Sequence, residues 1–90
     1  MNLQDIAEAT AEHYGTTVEA MGGYSRLPED VRPRQVYCFL ADKWTDESKS
    51  QIGRIIRRDH TTVTSSLARV AHYDISAEVA AIECVACIDW

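Results

Sequence analysis

Residues 57–63 read RRDHTTV, which sets two arginines, an acid, a histidine and two threonines before the first apolar side chain. The chemistry of this string suits the edges of nucleic-acid bases. A carboxylate accepts from cytosine N4, a threonine offers a methyl to thymine and a hydroxyl to either edge, and an imidazole packs or donates. Asp59 is also a good helix N-cap, so the same string predicts the start of a helix. A capping carboxylate keeps spare acceptor sites, and the two roles are compatible. The competing reading is plainer: a cap in solvent, facing nothing.

The charge pattern favours a polyanionic partner although the net charge is −5. All nine Lys and Arg fall between Arg26 and Arg69, against six acids in that span, which leaves it at +3. Residues 1–25 and 70–90 each carry four acids and no Lys or Arg. Within 49–69, Lys49, Arg54, Arg57, Arg58 and Arg69 face only Asp59. A polyanion responds to the charge within a Debye length of ~8 Å, so the local excess outweighs the total.

Other chemistries find no support. Paired carboxylates, a nucleophile motif and a Gly-rich phosphate loop are all missing, and catalysis is not expected. Cys84-Val-Ala-Cys87 lacks a second pair, and His13, His60 and His72 stand at no ligand spacing to it. No metal and no cofactor are expected. Three cysteines, an odd number, suit reduced thiols in a cytoplasm better than a disulfide frame. No apolar run nears the ~18 residues of a membrane span, and MNLQDIAEAT lacks the layout of a signal peptide. A cytoplasmic location without membrane contact is expected.

The elements that must position RRDHTTV are helices. Ninety residues with 46% apolar side chains suit one domain, and no stretch alternates as a strand does. Leu3, Ile6, Ala7, Thr10, Ala11 and Tyr14 make the stripe of a first helix, ending at Gly15. Thr17 caps a short turn of helix to Met21, and residues 22–31 read as a loop. Pro33 marks the first turn of the next helix, lined by Val36, Phe39, Leu40, Trp44 and the stem of Lys43. Ser48 and Gln51 form a capping box for a short helix burying Ile52, Ile55 and Ile56. A helix from Asp59 buries Val63, Leu67 and Val70. Residues 75–88 form a last, broadly apolar helix, with Ile75, Val79, Ile82 and Ala86 on one stripe. The two helices over about 48–71, joined tightly at 57–58, are a helix-turn-helix by length and pattern.

VRPRQ (31–35), Ile52-Gly53 and RDHTTV (58–63), in this order and spacing, resemble the C-terminal DNA-binding domain of the bacterial replication initiator DnaA. The opening IAEATAEHYGTTVEAM is similar to its first helix and turn, so the resemblance covers roughly residues 3–72. It implies an all-α, six-helix, Trp-repressor-like fold whose helix-turn-helix binds double-stranded DNA at a nonameric, AT-rich DnaA box. It further implies that Asp59, His60 and Thr61 reach base edges in the major groove, and that Arg26 enters the minor groove. Backbone contacts fall to Arg34, Gln35, Arg58, Thr62 and Arg69, with Lys43, Lys49 and Arg57 as further basic candidates.

This sequence departs from the family pattern in three places. The loop after Arg26 is acidic, Asp42 stands where a lysine is usual, and the turn is one residue shorter with Arg57 in place of glycine. No ATPase motif is present, and Met1 lies close to the first helix, so a stand-alone regulator or competitor of initiation or transcription, associated with the nucleoid, is expected. Residues 73–90 do not resemble the usual family ending. The width of the last apolar stripe suits deep docking in the domain, or a homodimer or partner-protein contact. A protein-interaction module of the same fold, with little DNA affinity, is the alternative function.

Overall fold

The computed structural model describes residues 2–23, 28–72 and 79–82. Five helices run in the order α1 (Leu3–Tyr14), α2 (Val18–Met21), α3 (Pro28–Trp44), α4 (Lys49–Ile55) and α5 (His60–Val70). Residues 79–82 are helical too, and no strand occurs among the described residues. The all-α reading holds. Both ends of the expected 75–88 helix, and Cys84 and Cys87, lie outside the described residues.

Short-range side-chain chemistry places the helix starts. Asn2 Oδ1 accepts from the Asp5 amide at 2.8 Å, and the Asp5 carboxylate accepts from the Asn2 amide in return. Ser48 and Gln51 make the same reciprocal box for α4. Thr17 Oγ1 caps α2 through the Ala20 amide. Each satisfies amides that the first turn leaves without a helical partner.

The third helix corrects the expected boundary. It begins at Pro28, so the loop is shorter than residues 22–31, and Pro33 sits inside the helix. Pro28 takes the first-turn place that suits a residue without an amide. Pro33 removes one helical hydrogen bond, a defect that burial of the surrounding segment offsets. The helix is also buried more widely than its expected stripe. Tyr37, Cys38 and Ala41 are fully enclosed together with Val36 and Leu40, whereas Phe39 and Trp44 are only partly covered. The reason is position: α3 packs against α1, α2, α4 and α5, and no broad face of it is left for water.

The core gathers Leu3, Ile6 and Ala7 of α1, Met21 of α2, the α3 set, Ile52, Ile56, Val63 and Val70. Ile82 is fully buried in it, and Val79 packs at its edge. These two residues follow the inner stripe expected of the last helix.

Two helices end in the same way. After α1, the Thr16 amide donates to Ala11 O and the Gly15 amide to Glu12 O, with Gly15 left-handed at φ 68°. After α4, the Arg58 amide donates to Gly53 O at 2.8 Å and the Arg57 amide to Arg54 O at 3.0 Å. Arg57 holds the left-handed place with φ 57°. Both are Schellman closures, but a Cβ in that region costs about 1–2 kcal/mol that glycine escapes. Gly53 is required for a different reason. A Cβ there would meet the Arg58 carbonyl oxygen at 2.5 Å, so only glycine lets the turn fold back on α4.

Candidate nucleic-acid interface

Asp59 caps α5. Its Oδ1 accepts both the Thr62 amide at 3.0 Å and the Thr62 hydroxyl at 3.1 Å. Arg58 Nε donates to the same Thr62 hydroxyl at 3.3 Å, completing a short relay from guanidinium to hydroxyl to carboxylate. The two Thr62 hydrogen bonds, with His60 and Arg58 nearby, hold the Asp59 carboxyl below its ordinary value. It is fully ionised at neutral pH. Both capping bonds use Oδ1, which leaves Oδ2 as an acceptor at the exposed tip of the helix.

Beyond the cap, α5 divides cleanly. Val63, Ser66 and Val70 are buried and Leu67 half-buried, while His60, Thr61, Thr64, Ser65, Ala68 and Arg69 are exposed. The outer face therefore carries small side chains, polar except for Ala68, apart from His60 and Arg69. A helix clothed this way lies close to whatever surface it meets, because little projects from its backbone. The inner face is set by α3, where Ser66 packs beside Cys38. Burial pushes the Cys38 thiol up to about 12, the Ser66 hydrogen bond and Arg34 opposing this only in part.

Two grooves flank this tip. The first lies between the start of α3 and α5 and is lined by Arg34, Gln35, Arg58, Thr61, Thr62 and Arg69, with Val31, Ser65 and Ser66. The second lies at the α4–α5 turn, lined by Ser50, Arg54, Arg57, Arg58, Asp59 and His60. Arg58 borders both. The base-edge candidates thus stand between two concave surfaces rich in guanidinium groups.

Of the expected site residues, Arg57 lines the second groove. Asp59, His60 and Thr61 come together at the tip, and Arg34, Gln35, Arg58, Thr62 and Arg69 surround the first groove. Arg34 and Gln35 are each only 8% exposed, and Arg34 Nη1 donates to Gly23 O at 3.4 Å, so both also belong to the packing of α3. Lys43 and Lys49 line neither groove. Lys43 Nζ lies 5.6 Å over the Phe39 ring, and Lys49 is the exposed first residue of α4. Arg26 lies outside the described residues.

Sequence reasoning did not select Ser50, Arg54 or Ser65 for the site. Their signal was available in helical spacing: Ser65 stands four residues after Thr61, and Ser50 four before Arg54.

The family model described as the bacterial dnaA protein helix-turn-helix matches residues 3–70. The chain belongs to that family. Among its relatives is the chromosomal replication initiator protein DnaA of Deinococcus radiodurans, 36% identical over 70 residues, which is 78% of this chain and 15% of that protein. DnaA 1 of Chlamydia trachomatis is 41% identical over 66 residues, 73% of this chain and 14% of that protein. DnaA of Sphingopyxis alaskensis is 36% identical over 88 residues, covering 91% of this chain and 19% of that protein. That last similarity reaches past the family-model match, into the C-terminal stretch expected to differ. The chain spans less than a fifth of the length of these relatives. No solved structure gives a significant match. The family is one of DNA-binding helix-turn-helix domains, and the match spans α1 to α5. Among the described residues no helix is long and apolar enough to cross a membrane, and no group of His, Cys, Asp or Glu is placed to hold a metal ion.

Proposed function

We propose that the protein binds double-stranded DNA sequence-specifically at DnaA-box-like, AT-rich sites, and so regulates or competes in replication initiation or transcription. The observation that carries this reading is the exposed tip Asp59–His60–Thr61, set between two arginine-lined grooves. In a helix-turn-helix the second helix enters the major groove with its N-terminal residues toward the bases. Asp59, His60 and Thr61 then read base edges. Arg34, Gln35, Arg58, Thr62 and Arg69 meet one phosphate strand, Arg57 meets the backbone from the turn, and Lys43 and Lys49 add positive charge further out. Arg26 completes the set from the minor groove, where narrow AT-rich tracts attract guanidinium groups. Residues 1–90 act as a single binding domain located in the cytoplasm with the nucleoid.

A fluorescence titration with a labelled duplex carrying a DnaA box, against a scrambled duplex, tests the proposal. About four to six neutralised phosphates give a slope of log affinity against log salt of roughly −4 to −5, at ~0.9 per phosphate. Preference for the box duplex is the expected result. No binding at ~50 mM salt, or a slope near zero, turns the reading to a protein-interaction module. Such a module would use the exposed Asp5, Glu8 and Glu12 of α1, or the last helix as a homodimer or partner contact.

A further inference from the structure

The turn between α4 and α5 carries an arginine in a backbone conformation that arginine disfavours. Arg57 is the only non-glycine residue with positive φ among the described residues. The equivalent closure of α1 uses Gly15, so the fold itself has no need of a side chain at this place. What the side chain adds is a guanidinium at the second groove. Arg54 and Arg57 are both exposed there, and neither has a hydrogen bond or ion pair from its side chain among the described residues. Arg58 and the hydroxyl of Ser50 complete the rim, with the Asp59 carboxylate as its one acidic group. Three guanidinium groups and a hydroxyl around one concavity match the donors that a phosphodiester accepts.

We propose that Ser50, Arg54 and Arg57 form a second phosphate-binding site, separate from the α3–α5 groove, which grips the backbone beside the base-reading tip of α5. The site rests on the DNA-binding reading and adds to it a clamp on the opposite side of His60. The strain at Arg57 supports this use, because residues held against their backbone preference cluster at functional sites. Arg57 is a positioning residue, since phosphates fix register on the duplex and carry no base identity.

The test compares wild type with Arg57→Gly and Arg54→Ala, by thermal melting and by salt-dependent titration on box and scrambled duplexes. Arg57→Gly is expected to melt higher than wild type yet bind both duplexes more weakly, with the salt slope reduced by ~0.9. Arg54→Ala, on an exposed helix face, is expected to melt like wild type and lose a similar share of slope. The higher melting point separates lost contact from lost folding. Unchanged slopes in both variants, with wild type binding normally, overturn the second site and leave the DNA-binding reading intact. Loss of box preference with scrambled binding unchanged also overturns it, because the arginines would then be reading bases. Failure of wild type to bind either duplex at ~50 mM salt removes both proposals together.

Discussion

Tyr37 of α3 donates a buried 2.7 Å hydrogen bond from its hydroxyl to the carbonyl of Ile52 in α4. The last carbonyls of a helix have no partner within it, and in a short helix they are a large share of the whole. Here one is satisfied by the central helix, which also fixes where α4 ends and the turn begins. Ile56 and Arg58 both donate to the next carbonyl, that of Gly53. The geometry of the turn is thus tied to the core through this phenol as well as through the buried Ile56. Burial raises the Tyr37 phenol well above its ordinary range, so it stays a protonated donor at neutral and mildly alkaline pH.

Replacing Tyr37 with Phe keeps the ring and strands the Ile52 carbonyl in the interior. The expected cost is about 1–3 kcal/mol of folding stability. Urea unfolding measures it directly. At temperatures where the variant is folded, DNA affinity should change far less than stability, since Tyr37 itself is fully buried. Stability unaltered within ~0.5 kcal/mol would remove the phenol from the account of the turn.

Cys38 gives a second handle on the core. It is fully buried beside Ser66, with its thiol pushed up to about 12, so almost none is thiolate at pH 8. Only the thiolate reacts with an alkylating reagent. Alkylation at Cys38, followed by mass spectrometry of its peptide, should therefore track global unfolding across a denaturant series. Fast labelling under native conditions would show that the α3–α5 packing opens locally.

Much of this architecture was legible in the chain, and the misses share physical causes. Capping residues announce themselves because their partners lie three positions away. Asn2, Ser48 and Asp59 all serve as N-caps, although α1 is also marked by its stripe and by Gly15. The start of α3 lies earlier than its sequence suggests because two prolines compete for the first-turn role, and tertiary burial keeps the second one helical. Its buried surface is wider than its apolar stripe because a helix enclosed on several sides has no amphipathic period to read. The site was legible as a string but not as two grooves, since sequence does not reveal that Arg58 borders both. Arg57 stands apart. Its left-handed backbone follows from the Schellman closure, which the absence of glycine hides from pattern reading.

Basic side chains around the first groove divide by burial. Arg69 is exposed in the last turn of α5, so Arg69→Ala should leave stability within ~0.5 kcal/mol. It should weaken box and scrambled duplexes alike and reduce the salt slope by ~0.9. Arg34 is largely enclosed and bonded to Gly23 O, so Arg34→Ala should lower both affinity and melting temperature. If Arg69→Ala abolishes box preference instead, it is a base reader and the assignment to the backbone is wrong.

Asp59 joins both questions that RRDHTTV raises, and substitution separates them. Asp59→Asn keeps an oxygen to accept from the Thr62 amide, so melting should change little near neutral pH, whereas Asp59→Ala removes the cap and should melt lower. The pH dependence has a defined sign. The folded carboxyl titrates below its unfolded value of ~3.9, so its contribution is present above that value and lost as pH falls through the folded one. The stability gap between wild type and Asp59→Ala should therefore narrow in acid, while Asp59→Asn shows no such titration. On DNA, both variants lose the charged Oδ2 acceptor and should relax selection at one base pair. His60→Ala and Thr61→Ala should relax neighbouring positions with the cap undisturbed. Suppose Asp59→Ala melts lower while base selection is unaltered in all four variants. The tip of α5 would then be a cap in solvent, and the protein-interaction reading would replace DNA recognition.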